Sequence, residues 1–173
     1  MHPFMKNIEY EIVQNSKWNS FNVTEMICKY FPRQMHYHPE HELVFIYQGH
    51  GLCFAGDGVI PMKPKHIYFI SSGLPHFFRS DNIYYDENYE ELCHSCYTQF
   101  KDSILPGDYK NMIGCKNIYR LINAGENGIE WDLTAYPQIQ TSVNDLIKSR
   151  GFERLQLLYK ILNQLGNMVD KFR

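Results

Sequence analysis

The sequence lacks any apolar run close to the roughly 18 residues that a membrane-spanning helix needs. Its start, MHPFMKNIEY, also lacks the long apolar core of a signal peptide. From these absences we expect a cytoplasmic protein without a membrane partner. The five cysteines are then expected to be free thiols of a reducing compartment rather than a disulfide framework.

A basic excess is missing as well. Seventeen Lys and Arg residues stand against nineteen Asp and Glu residues, which gives a net charge of -2. A domain that binds nucleic acid by itself usually carries a surplus of basic residues. The sequence also contains no G-x-S-x-G motif and no glycine loop of the kind that cradles phosphate. We therefore assign no catalytic residue and expect no DNA contact from these residues themselves.

Short runs of β-branched and aromatic residues do occur, from about residue 20 to about residue 100. Runs such as FNVTEMICKY, LVFIYQ and HIYFIS are typical of strands, and the QGHG, MKPK and SSGLPH between them are typical of turns. GDG at 56–58 is a strong hairpin signal. Many short strands at close spacing predict a β-sandwich or a β-barrel.

After about residue 107 the apolar spacing changes to a helical period. It predicts a helix within residues 108–128 with Ile113 on its apolar face, an extended piece at 129–133, a helix from Pro137, and a last helix from about residue 152. The fold class is therefore mostly β with α. We expect residues 1–100 to form an N-terminal arm and the barrel, and residues 101–173 to form a helical section that packs on the barrel as part of one structural unit.

The last helix has two apolar faces, which need two partners. Its main stripe comprises Leu155, Leu158, Leu162 and Leu165. One face can cover the barrel, and we expect this stripe to form a homodimer interface through a coiled-coil-like seam. The alternative is a helix buried between two elements of its own chain.

HYHPEHELVFIYQG, residues 36–49, concentrates side chains that can bind metal or polar ligands. Successive side chains of a strand point to opposite faces, so positions two apart share a face. On one extended element, a single face would present the set His36, His38, Glu42, Val44 and Ile46. The turn SGLPH could bring His76 to the same space.

Two interpretations of His36, His38, Glu42 and His76 remain open. Imidazole and carboxylate donors suit a divalent transition metal such as iron, manganese, nickel or zinc. The same groups could instead form a polar cluster that hydrogen-bonds to an organic ligand. Both interpretations place all four side chains, together with Val44 and Ile46, in one ligand-binding cavity.

The spacing H-x-H-x-x-x-E-x-x-x-x-x-x-G, from His36 to Gly49, resembles the first cupin motif, and SSGLPHFFRS resembles the second. The second departs from the usual pattern, with Ser71 in place of proline and Lys65 in place of glycine. The H-x-H-P-E-x-E-L opening, the G-D hairpin, the L-P-H ending and the order of barrel then helices resemble the amino-terminal sensor half of AraC-type bacterial transcription regulators.

That resemblance implies a cupin-like double-stranded β-helix, or jelly-roll, that binds a small-molecule effector, such as a sugar. It further implies an N-terminal arm of about residues 1–15, a homodimer, and control of a DNA-binding domain with two helix-turn-helix units that this chain does not contain. The rival expectation is a metal-dependent cupin enzyme, a dioxygenase or an isomerase, with a centre of three histidines and one glutamate.

Overall fold

The computed structural model describes residues 8–14, 20–31 and 34–169. Most of the predicted N-terminal arm therefore lies outside the described residues. The described strands are β1 (Glu9–Tyr10), β2 (Asn22–Cys28), β3 (His36–Tyr37), β4 (His41–Gln48), β5 (Gly51–Ala55), β6 (Gly58–Met62), β7 (His66–Ile70), β8 (His76–Ser80), β9 (Cys93–Phe100) and β10 (Ile129–Asp132). The α-helices are α1 (Lys116–Ala124), α2 (Pro137–Lys148) and α3 (Gly151–Gly166).

The strands form two five-stranded sheets. The front sheet has the order β1-β3-β8-β5-β6, and the back sheet has the order β10-β7-β4-β9-β2. The strand pairs are antiparallel except for β1 and β3. The predicted hairpin is confirmed, because β5 and β6 pair across the turn at 56–57. β10, from the predicted extended piece, adds to the edge of the back sheet beside β7.

The back sheet lies in the middle of the molecule, as the alternation along β4 shows. Val44 and Ile46 pack in the cluster between the two sheets. Leu43 and Phe45 point the other way and pack with buried residues of the helices. The layers are therefore front sheet, back sheet and helices, which confirms the predicted cupin-like β-sandwich followed by a helical section.

The predicted dimer stripe on α3 lies in this core instead. Leu158, Leu162 and Leu165 are each 0% exposed, and Leu155 is partly buried against the same cluster. The face of α3 that reaches solvent is mostly polar and carries Glu153, Gln156, Lys160 and Asn163. The assignment of the stripe to a dimer interface is therefore wrong, because the back sheet and the other helices already cover it.

The first predicted helix is shorter than expected. α1 begins at Lys116, and Ile113 before it is 94% exposed. Its buried face is formed by Ile118 and Leu121. Across the described part of the chain, no helix is long and apolar enough to span a membrane.

Lys65 adopts a left-handed backbone conformation, with φ at 63°. Its N–H donates to Ile46 O at 2.7 Å, which holds the turn before β7. This conformation costs a residue with a Cβ about 1–2 kcal/mol, whereas glycine adopts it freely.

We expect Lys65→Gly to raise the free energy of unfolding by about 0.5–1 kcal/mol, since relief of this strain exceeds the entropy cost of glycine. Urea unfolding measures the change. Lys63→Gly, two residues earlier and without a positive φ, is the matched control and should not stabilise. Equal effects of the two substitutions would contradict the prediction.

Candidate functional site

Three histidines from two parts of the front sheet lie together, and we call them the imidazole cluster. His36 of β3 pairs in register with His76 of β8. His38 follows β3 directly, where Pro39 ends the strand and lets the chain turn into β4. The ring centroids lie 4.4 Å (His36–His76), 5.1 Å (His38–His76) and 5.9 Å (His36–His38) apart.

Each imidazole of the cluster is fixed by a backbone carbonyl. Nδ1 lies 3.0 Å from Gln34 O in His36, 3.1 Å from Glu40 O in His38 and 2.8 Å from Leu74 O in His76. A carbonyl oxygen only accepts, so Nδ1 of each ring carries a proton and donates it. Nε2 is then the free nitrogen of each neutral ring. The anchors orient all three rings in the same way.

The free nitrogens converge on one point. The cluster can offer one ligand atom per histidine, all within 4.8 Å of one another. His76 Nε2 is buried and has no hydrogen-bond partner in the described part of the chain. Buried polar atoms without a partner are rare in native proteins and call for an explanation, such as an absent ligand or ion.

Glu42 lies beside the cluster, in the network that we call the Glu42 network. Its Oε2 lies 3.1 Å from His38 Nε2 and accepts a hydrogen bond from Gln99 Nε2 at 2.8 Å. Its Oε1 lies 3.7 Å from His76 Nε2. Burial by itself raises the pKa of the Glu42 carboxyl, but His38 and His76 hold it well below its ordinary value. Glu42 is therefore a carboxylate at neutral pH.

The charge states within the cluster differ. Burial lowers the pKa of His38, yet the hydrogen bond and charge of Glu42 outweigh it, so the pKa of His38 is raised. The pKa of His36 is lowered, chiefly by burial and then by the nearby His76. His38 thus takes the proton that lets its Nε2 donate to Glu42, while His36 is the neutral ring near pH 7.

A cavity of about 140 Å³ adjoins these groups. One end is polar and includes Glu11, His36, Glu42 and Gln99. The rest of the lining includes Met26, Phe31, Val44, Phe78, Ser95 and Tyr97. Ser95 Oγ is buried there without a hydrogen-bond partner in the described residues, so the cavity wall presents a second unused polar atom.

The structure brings together the four polar residues singled out from the sequence. Of the two apolar ones, Val44 lines the cavity, whereas Ile46 is completely buried in the cluster between the sheets. Sequence reasoning missed Gln99, Ser95 and Glu11. Gln99 and Ser95 share a parity on β9, and this alternation is their only signal in the sequence.

The donor set fits a divalent transition metal. Metal-binding histidines usually donate their other ring N–H to a carbonyl or a carboxylate, as all three rings of the cluster do. The unpartnered Nε2 of His76 and the carboxylate of Glu42 supply further donors. Such nitrogen and oxygen donors suit iron, manganese, nickel or zinc. His36, His38, His76 and Glu42 would hold the ion.

The fold and the cavity define the chain as a cupin-like ligand-binding β-sandwich. Within that class, residues 29–93 match the family model for the AraC-like ligand binding domain. This match confirms the resemblance to the sensor half of AraC-type regulators, and it points to a regulator rather than an enzyme. No curated protein matches the sequence significantly.

Solved structures share the fold. ToxT from Vibrio cholerae bound to an unsaturated fatty acid has 10% identity and a TM-score of 0.59, over 92% of this chain and 57% of that chain. ToxT bound to (E)-4-(8-methylnaphthalen-1-yl)but-3-enoic acid has 13% identity and a TM-score of 0.54, over 88% and 57% of the two chains. The chain thus spans little more than half of ToxT.

Oxalate decarboxylase from Bacillus subtilis is also similar, with 18% identity over 49% of this chain and 22% of that chain. Its TM-score is 0.36. A likeness at this level says nothing about the function of this chain.

Proposed function

We propose that this chain is the effector-sensing part of an AraC-type regulator of transcription in a bacterial cytoplasm. A small molecule or ion binds in the cavity, against the imidazole cluster and Glu42. Its different affinity for two arrangements of the sandwich and helices biases a DNA-binding domain outside this chain. Homodimer formation is part of the proposal, through a surface other than the buried stripe of α3.

One observation carries the proposal: two buried polar atoms at the cavity have no partner. His76 Nε2 and Ser95 Oγ each lack a hydrogen bond in the described part of the chain. Leaving such an atom unsatisfied costs about 1–3 kcal/mol. A bound effector that supplies their partners would recover this energy, which is a direct source of affinity.

The charge of the cavity narrows the effector. Glu42 is ionised, Glu11 brings a second carboxyl group, and His36 is neutral near pH 7. An anionic headgroup at this end would be repelled, so the carboxylic acids bound in the ToxT structures are poor models for this effector. We favour a neutral molecule, such as a sugar, or a cation.

We expect Ser95→Leu to weaken effector binding by about 10-fold or more, because leucine fills the cavity and removes a polar contact. Thermal shift of this chain with an aldohexose, an aldopentose, putrescine, oleate and Zn²⁺ identifies the effector class. Calorimetry then gives the dissociation constants. Ser103→Leu, at an exposed serine, is the matched control.

The same pair of variants in the full-length regulator tests the function with a promoter reporter. Ser95→Leu should lose the response to the compound found, and Ser103→Leu should keep it. A normal response from Ser95→Leu would place sensing outside this cavity. Binding of oleate alone would contradict the argument from charge.

A metal-dependent cupin enzyme is the second candidate function. The convergence of three Nε2 atoms beside a carboxylate favours it, since such sets leave positions open for water or substrate. Turnover of a substrate by the metal-loaded chain would support this candidate. Metal binding without turnover would favour the sensor.

A further inference from the structure

We propose that the imidazole cluster takes a divalent transition-metal ion and that Glu11, on the segment that follows β1, is an additional ligand. This inference rests on the proposed function, because it names the effector of the same cavity. Glu11 is remote in sequence from the cupin-like motifs, and only the pairing of β1 with β3 brings it to the site.

The Glu11 carboxylate faces the cluster from the side of His36. Its Oε2 lies 3.4 Å from His36 Nε2 and 4.0 Å from His38 Nε2. Glu42 contacts His38 and His76 at 3.1 and 3.7 Å. A tetrahedral zinc ion with ligands at about 2.1 Å holds them about 3.4 Å apart. The separations therefore lie close to those of a coordinated set.

The charges also match a dication. Three neutral imidazoles with the carboxylates of Glu11 and Glu42 carry two negative charges in total. Burying charge is costly unless it is paired. A divalent cation neutralises the set, whereas a neutral organic molecule leaves both carboxylates uncompensated apart from the proton on His38. The anchored Nδ1 atoms keep every Nε2 available for that cation.

Backbone contacts place Glu11 but stabilise the segment weakly. Glu9 N donates to Met35 O at 3.0 Å, and Glu11 N donates to Tyr37 O at 3.0 Å. Neighbouring apolar residues gain little from burial, since Tyr10 is 54% exposed and Ile12 is 77% exposed. A bond from Glu11 to the ion would therefore contribute much of the stability of these two backbone hydrogen bonds.

The experiment compares wild type, Glu11→Gln and Glu9→Gln, with Zn²⁺ as the probe. Glu9 is exposed on the same strand and lies outside the cavity lining, so Glu9→Gln is the matched control. Calorimetry should show a Zn²⁺ affinity about 10-fold weaker for Glu11→Gln than for the other two proteins. NMR hydrogen exchange should show Zn²⁺ slowing the Glu9 and Glu11 amides about 10-fold in wild type and far less in Glu11→Gln.

Equal Zn²⁺ affinity in all three proteins would overturn the assignment of Glu11, as would amide exchange that Zn²⁺ does not slow. Absence of Zn²⁺ binding in wild type would overturn the metal site itself. That result leaves the sensing proposal standing if an organic compound binds and Ser95→Leu abolishes its binding. Since Glu11 is partly exposed, Glu11→Gln should fold normally, and its thermal unfolding without Zn²⁺ checks this.

Discussion

His76→Leu is expected to weaken Zn²⁺ binding by at least about 100-fold. The substitution removes the buried Nε2 that has no partner within the described residues. Loss of a supporting hydrogen bond around a metal already costs about 10–100-fold in affinity, and loss of a ligand should cost more. Leucine has a similar size and brings no polar atom, so stability should change little.

Two measurements separate these effects. Calorimetry gives the affinity for Zn²⁺, and urea unfolding without metal should give a free energy within about 1 kcal/mol of wild type, since the one protein bond lost is that to Leu74 O. His94→Leu, at a histidine paired with Glu25 on the other face of β9, is the matched control. Equal loss of affinity in both variants would contradict the prediction, because His94 is not part of the cluster.

Much of this site follows from local sequence rules. His36 and His38 are two residues apart, and Glu42, Val44 and Ile46 keep the same parity on β4. The alternation survives the break at Pro39 because Glu42 still faces His38, at 3.1 Å. Lys65 illustrates the same point for the backbone, since a position expected to prefer glycine has a positive φ.

The partners of these residues could not be predicted in the same way. Gln99 contacts Glu42 because β4 and β9 pair with these two residues opposite each other. That register depends on contacts between segments more than 50 residues apart in sequence. Glu11 depends likewise on the parallel pairing of β1 with β3. Periodicity gives the face of a strand but not its neighbour.

The same limit explains the error on α3. The spacing of its leucines shows correctly that one face is buried, but it does not say against what. In the fold, the stripe meets the back sheet and the helices, so a partner chain is not needed to cover it. Short loops and an additional strand, β10, bring these elements together, and neither feature changes the leucine pattern.

Gly166→Ala is expected to lower the free energy of unfolding by about 2–3 kcal/mol. Gly166 ends α3 where it crosses the first turn of α1. A Cβ added there would lie 1.9 Å from Asn117 O and 2.5 Å from Asn117 C. These are backbone atoms of α1, so the helices must separate rather than a side chain rotate. Alanine's better helix propensity, about 1 kcal/mol, offsets only part of this cost.

Urea unfolding monitored by circular dichroism measures the change, with Gly107→Ala as the matched control. A Cβ at Gly107 meets nothing within 4 Å, so that variant should stay within about 0.5 kcal/mol of wild type. An unchanged denaturant slope would show that the native state is destabilised rather than remodelled. Because α1 and α3 cover the face of the back sheet opposite the cavity, Gly166→Ala should leave Zn²⁺ affinity unchanged. Wild-type stability in Gly166→Ala would mean that α1 and α3 do not approach so closely.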